Sequence, residues 1–156
     1  MEYDSTADTL KHIKRVNELL IFAATELLKR GICHDSSKLV TPEKECFDVI
    51  TPILKESTYG SPEYKATMAE FKPAIEHHQK NNSHHPEFYE NGISGFDLFD
   101  LVELFFDWKA ASERHSDGDI IRSIKINKDR FGYSEQIAQI LENTARRYFA
   151  FKEEVK

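Results

Sequence analysis

Cysteine is scarce in this chain. Cys33 and Cys46 are the only two in 156 residues, too few for a disulfide framework, and a reduced, cytoplasmic setting fits them best. Long apolar runs are missing as well. None approaches the roughly 20 residues that span a bilayer, and the opening MEYDSTADTLKHIKR lacks the uninterrupted apolar stretch of a secretory signal. Positive charge is in deficit: 21 Lys and Arg stand against 27 Asp and Glu, a formal net charge of −6. A surface for extended nucleic acid is normally basic, so that class is disfavoured, whereas a small phosphate-bearing ligand needs only a few local cations. Strand alternation, internal repeats and low-complexity linkers are also absent.

What is present is helical periodicity. Hydrophobic residues make up 40% and charged residues 31%, as in a globular protein, and the length suits one domain with a real core. Leu10, Ile13, Val16, Leu20, Ala24, Leu27 and Leu28 recur at helical spacing up to Gly31, with Ser5 or Thr6 as the starting cap. A short helix is expected from about His34-Asp35 to just before Thr41-Pro42. Thr41-Pro42-Glu43 then signals a helix to about Glu56, with Thr as N-cap and Pro at the first position. Gly60-Ser61-Pro62-Glu63 opens another, running to about Lys80. Residues 81–95 read as a polar loop with one turn after Pro86. Phe96 to about His115 is apolar nearly all round and is expected to be the central buried helix. A short helix over about 119–128 and an amphipathic one after Ser134 complete an all-α domain of about six to eight helices over residues 1–156.

Against this frame the histidines and certain aspartates stand out. His12, His34-Asp35, His77-His78, His84-His85 and Asp107 are spread over two-thirds of the chain and include every histidine but His115. Imidazole and carboxylate are the ligands divalent transition metals share most readily. Helical phase puts His12 at the edge of the apolar stripe of the first helix, because Val16 and Leu19 follow it by four and seven residues. His78 follows Phe71, Ala74 and Ile75 by seven, four and three residues and faces the core; His77 lies about 100° away. Asp107, inside Phe105-Phe106-Asp107-Trp108, would cost several kcal/mol if buried alone, so it needs a partner: a metal, an Arg or a Lys. Nothing in the sequence separates His84 from His85, and a solvated loop is the plain reading of that pair. A thiolate at Cys33 would point away from a ligating neighbour.

The order H…HD…H…H…D, carried by HIKRV, ICHDSSKL and LVELFFDWKAASERH, resembles the HD superfamily of metal-dependent phosphohydrolases over roughly residues 8–130. HDSSKL, HHPE and the DW-AA-RH segment resemble more specifically an uncharacterised, often phage-associated HD-like family. The resemblance implies an HD-type helical bundle in which His12, His34, Asp35 and Asp107 hold one divalent metal. The stretch HHQKNNSHHPEFYENGISG is similar to the extra histidines of binuclear HD enzymes, including the HD-GYP phosphodiesterases. It implies a second metal on His78 and His85, with Asp35 bridging and His77 and His84 as alternative or supporting ligands. Lys38 matches the HDxxK form. The GYP tripeptide itself is absent; His84-His85-Pro86 stands in its place.

The function implied is hydrolysis of a nucleotide or another small phosphate ester or diester by a metal-activated water, with one or two ions of Mn, Fe, Co, Zn or Mg. Asp35 and Lys38 are the expected catalytic residues, Lys38 neutralising phosphoryl oxygens as charge develops. Arg114, His115 and Asn82 are the expected substrate contacts; a surface ion pair of Arg114 with Glu113 or Asp117 is the plain alternative, and Arg15 is a further candidate cation. Two other readings use the same ligands: a di-iron HD-type oxygenase, and a non-catalytic, metal-stabilised nucleotide-binding module. The Phe-rich helices and the RRYFAF segment are compatible with a homodimer, and no membrane partner is expected.

Overall fold

A computed structural model describes residues 3–58, 60–114 and 118–149. Among these residues there are seven α-helices and no strand, so the chain is all-α. No helix among the described residues is long and apolar enough to cross a membrane. The chain forms two compact units, Met1–His34 and Asp35–Lys156.

The first unit is in essence one helix, α1 (Thr6–Cys33), 28 residues long. Ser5 is its N-cap residue, as expected, but its side chain makes no cap bond; the Asp4 carboxylate accepts the Thr6 N–H at 2.9 Å. None of its residues is buried. The apolar stripe expected to seat His12 at a buried edge therefore stands exposed, with Leu10 at 61% and Leu20 at 63%. A single helix offers no second element within its own unit to cover such a stripe.

The second unit begins with a 3-10 turn, Ser36–Leu39, preceded by Asp35 in the left-handed region at φ 56°. Helix α2 (Glu43–Glu56) starts one step later than the Thr41-Pro42 signal suggests. Pro42 is its N-cap, and the Thr41 hydroxyl donates to Glu45 at 2.6 Å instead of capping. The single helix expected over 61–80 is divided into α3 (Pro62–Glu70) and α4 (Lys72–Asn81), with Phe71 at φ −98°, ψ 18° between them. Pro73 explains the break, because it has no N–H to continue the ladder and its ring crowds the preceding turn. Ser61 caps α3 by accepting the Tyr64 N–H at 3.1 Å, as its Ser-Pro-Glu start implies.

Two further 3-10 turns, Pro86–Phe88 and Gly92–Gly95, lead into α5 (Leu98–Ser112). A capping box opens α5: Asp97 accepts from the Asp100 N–H at 2.9 Å, and Asp100 accepts from the Asp97 N–H at 3.1 Å. Helices α6 (Ile120–Phe131) and α7 (Glu135–Phe149) pack beside it, with Gly132 at φ 66° ending α6. Phe105, Ile124, Tyr133, Ala138, Leu141 and Ala145 form the buried cluster of these three helices. Trp108 stacks on Phe131 and Tyr133 at the cluster's edge. Helix α5 is less enclosed than its composition suggests: Leu104 and Phe105 are buried, but Leu98 is 69% and Phe106 49% exposed. The core lies to one side of it.

Candidate metal centre

The site is assembled in the second unit from the 3-10 turn after Asp35, the start of α2, the end of α4 and the loop that follows. One donor atom from each of Asp35, His78, His84 and His85 lies within 4.8 Å of every other. His78 and His84 are almost wholly buried, at 3% and 2%. The His84 and His85 rings are 4.2 Å apart and those of His78 and His85 4.8 Å, centre to centre.

Asp35 is placed by its backbone. Its left-handed conformation turns the chain back so that Lys38 N–H bonds the Asp35 carbonyl at 2.9 Å. Aspartate tolerates this conformation better than most residues. Its Oδ1 then lies 3.1 Å from His78 Nε2 and 3.5 Å from His84 Nε2, while Oδ2 accepts from Lys38 Nζ at 2.6 Å. Lys38 is held from its other side by the Phe47 ring, 4.8 Å from the ring centre. Burial raises the Asp35 pKa, but the imidazoles of His78 and His84 and the charge of Lys38 outweigh burial and hold the carboxylate well below its usual range.

The imidazoles are oriented from behind. Glu43, fully buried at the start of α2, places Oε2 2.8 Å from His78 Nδ1 and Oε1 2.8 Å from His77 Nδ1, and its Oε2 also accepts the Ser37 hydroxyl at 2.8 Å. With Nδ1 turned to Glu43, His78 presents Nε2 to Asp35. His84 is arranged alike, with Nδ1 3.2 Å from Glu103 Oε1. A carboxylate behind the imidazole is the customary support of a histidine ligand, fixing tautomer and ring plane. Asn82 reinforces the arrangement: its amide donates to Ser37 Oγ at 3.0 Å and to the His78 carbonyl at 2.7 Å.

The donor set fits a divalent cation. The Nε2 atom of His85 is buried with no hydrogen-bond partner, and that of His78, also buried, meets only the Asp35 carboxylate at 3.1 Å, an arrangement that leaves a nitrogen to be met by something else. Burial, followed by the charges of His84 and His78, pushes His85 down to about 3 despite the opposing effect of Asp107. His85 is therefore neutral at ordinary pH, as a ligand must be.

The other expected residues are distributed as follows. Asp107, on α5, offers a carboxylate oxygen within 4.8 Å of a His84 nitrogen. His77 is half-exposed and engaged on Glu43. His12, exposed on α1, and His34, at the α1 C-terminus, belong to the first unit. Arg15 is exposed and paired with Glu18 at 3.0 Å. Arg114 lines the cavity described below, Asn82 does not, and His115 lies outside the described residues. Glu43, Glu103 and Ser37 are missing from the sequence reading. Glu103 could have been found, since it lies four residues before Asp107 on the same face of the same apolar helix. Glu43 could not, because an acid in a first helical turn is commonplace.

A cavity of about 320 Å³ opens over the site, with Asp35, Lys38, His78, His85 and Asp107 in its lining and Phe47, Leu104 and Trp108 among its apolar walls. Residues 1–147 match a family described as "Family of unknown function (DUF5662)". The chain belongs to that family. No curated protein and no solved structure matches it. For this DUF5662 chain the chemistry must accordingly be argued from the site.

Proposed function

We propose that the chain is a metal-dependent phosphohydrolase of the HD type, acting on a small phosphate ester or diester such as a nucleotide. The observation that carries this reading is the convergence of Asp35, His78, His84 and His85 within 4.8 Å, with Asp35, His78 and His85 on the wall of a solvent-open cavity. A divalent cation bound there supplies a Lewis acid for phosphoryl oxygens and brings the pKa of water toward neutrality. Glu43 and Glu103 hold His78 and His84 in the ligating tautomer. Asp35 gives one oxygen to the donor cluster while Lys38 holds the other, and Lys38 stands ready to balance charge growing on the phosphoryl oxygens. Asp107 contributes a further carboxylate beside His84.

Metal analysis of the purified protein, followed by a screen for phosphate release across nucleotides and simple phosphate esters, tests the reading. Bound transition metal and release that chelation abolishes are expected. Asp35→Ala and His85→Ala should lose both while keeping the helical circular-dichroism signal. Release that continues under anaerobic conditions separates hydrolysis from oxygen activation. Full activity after exhaustive metal removal would overturn the proposal.

A further inference from the structure

The charge of the cavity runs against that of the chain. Five cations line it, Lys38, Lys55, Arg114, Arg122 and Arg130, against three acids, Asp35, Asp107 and Asp119, in a chain whose net charge is −6. Several of these charges are already committed. Lys38 is bonded to Asp35. Arg130 is bonded to Glu87 at 2.8 Å. Asp119 caps α6, its Oδ1 accepting the N–H groups of Ile121 at 2.7 Å and Arg122 at 3.2 Å. Lys55 and Arg114 make no ion pair with a described residue.

Helical rise gives the spacing of these cations from residues that line the cavity beside the cluster. Lys55 is eight residues along α2 from Phe47, whose ring carries Lys38, about 12 Å at the helical rise. Arg114 is seven residues beyond Asp107, in the turn that follows α5, about 10 Å. Leu104 and Trp108 line the same cavity and offer apolar surface.

We propose that the cavity takes a small ligand with two anionic ends: a phosphoryl group at the histidine cluster, and a second phosphate or carboxylate about 10 Å away at Lys55 and Arg114. Its uncharged middle lies against Leu104 and Trp108, and Arg122 adds to the field at the second anion. This rests on the phosphohydrolase reading for the first end only.

The test uses ligands that cannot be hydrolysed. Alkane α,ω-bisphosphonates of graded length are titrated into the metal-loaded full chain, beside alkyl monophosphonates of the same lengths. Above a threshold length the bisphosphonate should bind at least about tenfold more tightly, the effect of one charge-assisted contact. In Lys55→Gln/Arg114→Gln the ratio should collapse to within about twofold. Lys55→Arg/Arg114→Lys, which keeps both charges, should retain most of it. Equal binding at every length, or a preference that survives the glutamine pair, would refute the second anion site; so would a bicarboxylate bearing no phosphonate that binds as tightly as the bisphosphonate and ignores Asp35→Ala. The two readings fail separately. Metal uptake and monophosphonate binding that ignore Asp35→Ala and His85→Ala sink the histidine assignment, whereas the length-dependent ratio alone decides the second anion.

Discussion

Glu43 carries two histidines on one carboxylate, and its burial at the start of α2 is offset by three hydrogen-bond donors and the positive end of the helix. Glu43→Gln is nearly isosteric but puts an amide NH2 against one of these donors. The expected result is metal affinity 10- to 100-fold lower, the usual cost of losing a carboxylate behind a ligand histidine, with helix content unchanged. A competition titration against a chromophoric chelator reads it, and an unchanged affinity would remove Glu43 from the site. His77→Ala, on the exposed side of the same carboxylate, should cost much less. His85 makes a separate prediction about pH. Its folded pKa of about 3 lies below the unfolded value near 6.5. Between those limits the unfolded chain binds more protons, so this group contributes stability that is present near neutrality and lost as pH falls. Metal-free wild type should lose up to about 1.4 kcal/mol per pH unit in urea unfolding between about pH 6 and 5, and His85→Gln should show a shallower slope. Asp35 and Glu43, both held below their ordinary values, add their own loss only at lower pH.

The loop between α4 and α5 places His84 and His85, and its closure depends on small contacts. Tyr89 donates to Asp100 at 2.7 Å, tying the loop to the α5 capping box. A Cβ on Gly95 would meet Tyr89 Cβ at 2.7 Å and Asn91 Oδ1 at 2.5 Å. Gly95→Ala must therefore push Tyr89 off Asp100, and a destabilisation of about 1–3 kcal/mol is expected in denaturant titrations, accompanied by weaker metal binding. A variant as stable as wild type would show that the loop yields freely. Elements of this kind mark the limit of what the chain displays. The inward face of α4 was legible in the spacing of Phe71, Ala74, Ile75 and His78, and His78 is buried. The Ser61-Pro62 start was legible because its cap is local. The α3–α4 break was written in Pro73 and overlooked under a strong periodic pattern. Glu43 was not legible, because its meaning comes from α4 crossing α2, a contact that leaves no mark on either segment alone.

At the scale of the whole molecule, a cation bound by the Asp35 turn, α4 and the following loop would join segments otherwise linked by hydrogen bonds and a modest core. The unfolded chain has no preformed cluster, so binding energy becomes folding energy. At a thousandfold excess over the dissociation constant the gain is about 4 kcal/mol. For a protein of this size that corresponds to a melting-temperature rise of about 8–16 °C. The ion that binds should be a transition metal rather than magnesium, because three of the four converging donors are imidazoles. Scanning calorimetry of the metal-free chain, with and without added Mn, Co or Zn, is the check. The rise should be saturable, absent in His85→Ala, and smaller with Mg than with any of the three. It should also shrink as pH falls, because protons compete with the cation for imidazole ligands. A rise of equal size in Asp35→Ala/His85→Ala would place the stabilising ion elsewhere on the molecule.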